Sequence, residues 1–221
     1  MKYKGVIPEG YELVKGRYGH YLRKLTGTKP VNKTLTRNSN KMPRVNRIAG
    51  AMQKGITAER KYFYDGTLYN RLKGHLLRGS ELAEGWWTKD WLEGFEVNAL
   101  HLLKTVADFT PSYAFKRNTL TIQLEGIFLT EWTRRKGKSF NAVRLHAVVL
   151  FIDEDKGKFT RYESEPQVTN LKTKSIRLEV VCTGKPKLPF VIFIYGVGME
   201  GRSIIENADA TGMVVIGSGI K

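Results

Sequence analysis

The sequence predicts a mainly β protein: an antiparallel two-layer β-sandwich of about seven strands, preceded by a basic arm and two or three short helices. Three observations carry this expectation. From Gly94 onward the spacing of apolar residues changes from a helical period to a period of two. The later strand candidates follow one another with no helical pattern between them, which excludes the crossover helices of a parallel sheet. Charge is divided unevenly: the first 80 residues hold 18 Lys and Arg against Glu9, Glu12, Glu59 and Asp65, a net of +14 out of +16 for all 221 residues. The expected organisation is a basic arm with possible short β segments over 1–42, a short-helix region over 43–92 and the sandwich over 93–221.

In the arm, alternation over Arg17–Lys24 fits one or two short β segments around Gly16 and Gly19. Lys29–Met42 contains Pro30 and the polar run TLTRNSNK, which reads as an extended linker. Pro43 suits the first turn of a helix, with Asn40 as a cap. Val45, Ile48, Ala49, Met52 and Ile56 recur at helical spacing, and Gly55 is a plausible stop. A second helix is expected to start at Asp65 or Thr67. Leu68, Leu72, Leu76 and Leu77 form its apolar stripe, Arg71, Lys73 and Arg78 its wet face, and Gly79 its end. Trp86, Trp87 and Trp91 crowd six residues and suit a core or interface anchor.

In the β part, Phe95-Glu-Val97 is a short strand candidate. Tyr113–Lys116 and Thr119–Leu124 flank Arg117-Asn118 as a hairpin. Ala142–Ile152 is almost continuously apolar, as in a core strand. Asp153–Gly157 reads as a solvated turn and Lys158–Glu163 as the returning strand. Ser175–Thr183, Phe190–Met199 and Met213–Ile220 complete the set. Cys182 lies in an apolar run and is expected to be a buried core residue.

Three stretches support this order of elements by resemblance. They are Thr36-Arg37-Asn38 through Gly50 with the helix that follows, Trp91-Leu-Glu-Gly-Phe-Glu-Val-Asn98, and Ile192-Phe-Ile-Tyr-Gly-Val-Gly198. In these the chain resembles a widespread group of small uncharacterised proteins of the Bacteroidota, with a basic N-terminal half and a β-rich C-terminal half. The resemblance implies the architecture and supplies no activity.

Enzyme signatures are absent from the sequence: no GxxxxGK[ST], no strand-borne GxGxxG, no HExxH and no CxxC. His20, His75, His101 and His146 are dispersed, and with one Cys and no carboxylate at ligand spacing no zinc site is expected. Asp153-Glu154-Asp155 lacks the twelve-residue calcium pattern. Gly196–Gly201 follows a strand but precedes no helix, so it reads as a bulge or turn rather than a phosphate loop. No cofactor is expected.

The basic segment points instead to a polyanion. Crowding like charges costs self-repulsion, whereas a polyphosphate rewards each neutralised phosphate with counterion release. The residues expected to contact nucleic-acid backbone are Arg17, Arg23, Lys24, Lys29, Lys33, Arg37, Lys41, Arg44, Arg47, Lys54, Arg60 and Lys61, with Asn38, Ser39 and Asn40 as neutral donors. Trp86, Trp87 and Trp91 are the expected interface. The expected function is that of a non-enzymatic architectural protein, DNA- or RNA-binding without strong sequence preference, whose body self-assembles in a coat-like manner. The alternative is a structural subunit or adaptor that assembles through arm exchange. The N-terminus shows no secretory h-region and no apolar run reaches the length of a bilayer span, so a cytoplasmic location, or one inside a nucleoprotein assembly, is expected.

Overall fold

The computed structural model describes residues 9, 11–16, 19–24, 33–63, 65–79, 91–129, 141–170, 172–183 and 187–220, with the side chains of 16, 19 and 33–40 left out. The chain divides into two compact units, residues 1–41 and 42–221.

In the first unit, β1 (Tyr11–Gly16) and β2 (Gly19–Lys24) form an antiparallel ribbon with Leu13 opposite Leu22 and Lys15 opposite His20. This is the pair of short β segments expected around Gly16 and Gly19. Of the stretch read as an extended linker, 33–42 is helical instead, while 29–32 lie outside the described residues: α1 runs from Lys33 to Gly55 and carries Pro43 in its interior. Once a helix is nucleated, each added residue gains a hydrogen bond at the cost of fixing one pair of dihedrals. The buried stripe at Val45–Ile56 provides the nucleus, and the weak propensities of Thr, Asn and Ser do not stop its extension. Pro43 forfeits the bond its missing N–H would have made to the Ser39 carbonyl and crowds that carbonyl with its ring, a local cost that the helix absorbs.

In the second unit α2 spans Leu68–Gly79. Asp65 starts it by accepting from the Thr67 N–H at 2.8 Å and the Thr67 hydroxyl at 2.6 Å. The strands are β3 (Ala107–Lys116), β4 (Thr119–Leu129), β5 (Ala142–Asp153), β6 (Lys158–Glu163), β7 (Gln167–Asn170), β8 (Ser175–Val181), β9 (Pro189–Glu200), β10 (Ser203–Ile204) and β11 (Thr211–Ile220). With the ribbon, the described residues hold eleven strands in three antiparallel sheets, rather than about seven in two. The larger sheet orders β10-β9-β5-β6, with β11 also on β9 and β7 also on β5; the smaller orders β3-β4-β8. The expected hairpin at Arg117-Asn118 is present, with Arg117 at φ 55.

Side-chain parity explains why the two central strands read as unbroken apolar runs. On β5, Val143, Leu145, Ala147, Val149 and Phe151 join Leu120, Ile122, Leu124, Leu178 and Val180 of the smaller sheet in one core. The alternate residues Val148, Leu150 and Ile152 join Val191 and Phe193 of β9 against Ile48, Met52, Leu68, Leu72 and Leu76 in a second core. The central strands β5 and β9 are therefore covered on both faces over most of their length. The helices add a layer that a two-layer sandwich lacks. By contrast β4 alternates strictly at first, because its other face meets solvent. Cys182 is fully buried, as expected.

Two glycines allow a close approach. A Cβ on Gly212 would lie 2.5 Å from the Leu103 Cα, and one on Gly196 2.6 Å from its Cδ1. They let the short turn at Leu103–Thr105 lie flat on β9 and β11. Phe95–Val97 reaches the free edge of β11: the Val97 N–H donates to Met213 at 2.8 Å and the Val215 N–H to Phe95 at 3.0 Å. This pairing is a single bridge rather than a strand.

Candidate functional site

The helix-covered face of the larger sheet changes character where α1 ends. Along β5 the residues facing that side run Ile152, Leu150, Val148, His146 and Arg144. Their partners on β9 for the last three are Phe193, Tyr195 and Val197. The apolar half lies beneath α1. Beyond Gly55 the chain turns into a short 3-10 helix, Glu59–Tyr62, which overhangs His146 and Tyr195. The opposite wall comes from the gap between β6 and β7. There the Ser164 hydroxyl accepts from the Ala147 N–H at 3.0 Å, and Ser164 N–H donates to the Ala147 carbonyl at 3.0 Å. The ladder is thus satisfied while Glu163, Glu165 and Pro166 turn along a cleft of about 530 Å³.

The floor of this cleft is an ionic network. Glu59 is only 5% exposed, so its charge needs compensation. Arg161 supplies it, donating from Nη1 to Oε2 at 2.9 Å and from Nη2 to Oε1 at 2.6 Å. The same guanidinium donates to Glu163 at 2.6 Å and to the Gly55 carbonyl at 2.7 Å, placing a cation at the C-terminal end of α1. His146 Nε2 lies 3.4 Å from Glu59 Oε1, and its ring packs 5.1 Å from that of Tyr195. Burial alone would raise the Glu59 carboxyl. The hydrogen bonds from His146 and Arg161 outweigh it and lower the group to about 2. An ionised Glu59 can only accept, so Nε2 of His146 is the donor in that contact. Burial pushes the Tyr195 phenol up, and Tyr62 and Glu59 act in the same sense.

Donor atoms of Glu59, His146 and Glu163 lie within 4.8 Å of one another, a spacing a metal ion could bridge. Arg161 Nη2 already sits 2.6 Å from both carboxylates and supplies the positive charge there. Arg144, half-buried in the same cleft, has no hydrogen-bond or ion-pair partner among the described residues. Lys61 stands at the mouth, with Nζ 5.0 Å above the Tyr62 ring.

Of the residues expected to contact phosphate, Lys61 alone among the described ones lines this cleft. Arg17, Lys29, Trp86 and Trp87 lie outside the described residues, as do the side chains of Lys33 and Arg37. Lys24 and Lys54 are exposed, Lys41 is half-buried, and Arg23 pairs with Glu12. Arg44 pairs with Glu154, while Arg47 Nε donates to the Glu154 carbonyl at 2.8 Å. The turn expected to be solvated is therefore gripped by two arginines, and Glu154 is largely covered. Arg60 is half-buried, with Nη2 3.4 Å from the Asp65 carbonyl. Arg71, expected on a wet face, donates to Asp65 at 2.5 Å and to the carbonyls of Glu96 and Val97 at 2.7 Å each. Trp91 is half-buried against Gly79, its ring centroid 5.4 Å from that of His75.

Sequence reasoning missed the Glu59–His146–Arg161–Glu163 network because its members are spread over 104 positions. One signal was available: two polar residues, Arg144 and His146, share one face of an otherwise apolar strand. Family models, the curated proteins and the solved structures were all searched, and none matches the chain.

Proposed function

We propose that the chain is a non-enzymatic architectural protein whose basic N-terminal segment binds nucleic-acid backbone without strong sequence preference. The supporting observation is cation density: residues 1–41 carry ten Lys and Arg against two acids, a net of +8. On the β1–β2 ribbon Lys15, His20 and Lys24 are exposed and share a face with Tyr11, Leu13 and Leu22, whereas the Glu12–Arg23 pair lies on the other. Lys15 and Lys24 stand opposite His20 and Tyr11, so neither lysine has an acid as its cross-strand partner. A polyanion relieves that arrangement by releasing counterions. Coat-like self-association of the β body, the Bacteroidota likeness and a cytoplasmic or nucleoprotein location belong to the same proposal. Among the described residues no helix is long and apolar enough to cross a membrane.

Nuclease-treated protein titrated with labelled single- and double-stranded DNA and with RNA tests the proposal. On duplex DNA the affinity falls with salt, with a log–log slope of about −0.9 per phosphate neutralised. Lys15→Glu with Lys24→Glu makes the slope shallower by roughly two such contacts. Binding that is absent at physiological salt, beside large assemblies in light scattering, overturns the proposal in favour of an adaptor that assembles through arm exchange.

A further inference from the structure

We infer that the cleft beside His146 binds a small phosphate monoester bearing hydroxyl or amino donors, the chemistry shared by sugar phosphates and nucleoside monophosphates. The first ground is Arg144. A half-buried guanidinium loses part of its hydration, and elsewhere in this unit such groups are paired: Arg71 with Asp65, Arg161 with Glu59. Arg144 alone among the cations lining the cleft has no hydrogen-bond, ion-pair or ring contact among the described residues. A guanidinium forks onto phosphate through two parallel hydrogen bonds, and Lys61 adds a second positive charge from the rim.

The second ground is the set of acceptors in the same cleft. Glu163 and Glu165 offer carboxylate acceptors, and Glu163 is more than half exposed despite its bond to Arg161. These acceptors suit ligand hydroxyl or amino groups. The same cleft is lined by the rings of His146, Tyr195 and Tyr62, surfaces against which a sugar or base can pack. A volume of about 530 Å³ accommodates such a molecule. A divalent cation is disfavoured because the Arg161 guanidinium already bridges the two carboxylates it would need.

Calorimetric titration of the full chain with adenosine 5′-monophosphate, ribose 5-phosphate, inorganic phosphate and succinate tests the inference. At least one of the two phosphate esters binds more tightly than inorganic phosphate or succinate. Arg144→Gln weakens that binding at least tenfold, in line with the loss of charge-assisted hydrogen bonds. Lys61→Gln, at an exposed position, weakens it by a smaller factor and guards against misfolding of the first variant. Lys15→Glu with Lys24→Glu leaves it unchanged, which separates this site from the polyanion-binding segment. Absence of ester binding at millimolar concentration, a preference for succinate, or ester affinity indifferent to both Arg144→Gln and Lys61→Gln overturns the inference. Tight Zn²⁺ binding that Glu163→Gln abolishes assigns the cleft to a cation instead.

Discussion

Arg161→Met removes the guanidinium at the centre of the ionic network while keeping most of its stem volume. Glu59 is then left 5% exposed, with the longer contact to His146 as its remaining side-chain partner. In the wild type the carboxyl is lowered from 4.5 to about 2, worth about 3 kcal/mol at neutral pH at 1.36 kcal/mol per unit. Stranding one member of a buried pair costs about 3–5 kcal/mol. The Gly55 carbonyl also loses its donor. The expected loss is therefore about 3–5 kcal/mol in urea unfolding followed by tryptophan fluorescence and circular dichroism. Its pH dependence identifies the cause. A carboxyl depressed in the folded state contributes fully above its unfolded value of 4.5 and loses that contribution as pH falls toward 2. Without Arg161, burial pushes Glu59 the other way, so the gap between variant and wild type narrows on acidification through 4.5. Glu59→Gln in the Arg161→Met background recovers much of the loss, since no charge is then stranded. A loss below about 1 kcal/mol, or a gap that stays constant between neutral pH and pH 4, refutes the reasoning.

Glu96 gives the opposite sign. Burial raises its carboxyl to about 7, against the opposing pull of the Leu103 N–H, Lys104 and Arg71. A raised acid favours folding below its unfolded value, and that advantage fades as pH rises from 4.5 to 7; Glu96→Gln therefore flattens a decline of up to about 3 kcal/mol. A wild-type and variant difference that does not change over that window counts against it. Gly212→Ala forces a Cβ to 2.5 Å from the Leu103 backbone and lowers stability by about 1–3 kcal/mol, whereas Gly50→Ala, with open space around it, is neutral or stabilising by thermal melts. Reversing Arg44 and Arg47 to Glu places two acids at the Glu154 turn and lowers the melting temperature; an unchanged melt shows that these arginines do not hold the turn.

The β character, the antiparallel order, the Arg117-Asn118 hairpin, the buried Cys182 and the two helical stripes were legible because each rests on local spacing. Periodicity reports whether a face is covered, not what covers it. Ala142–Ile152 announced burial on both sides. That helices cover one side and a second sheet the other followed only from the packing of Ile48, Met52 and Leu72 against Val148 and Leu150. The linker reading failed over 33–42 for a related reason, since cooperative extension from a buried stripe overrides weak local propensity.

Charge density was likewise a property of the sequence, and its uneven division between the first 80 residues and the rest needs no coordinates. Which cations are engaged was decided by the fold. Arg44, Arg47 and Arg71 found acceptors over 25 to 110 positions away, and Arg161 found Glu59 at 102. Pairing energies depend on separation in space and on burial, and composition encodes neither. The cleft at His146 belongs to the second category but for one trace in the sequence, the placing of Arg144 and His146 on one face of an apolar strand. It exists because α1 stops at Gly55 and β6 breaks at Ser164, leaving two polar side chains of β5 uncovered beside an apolar core.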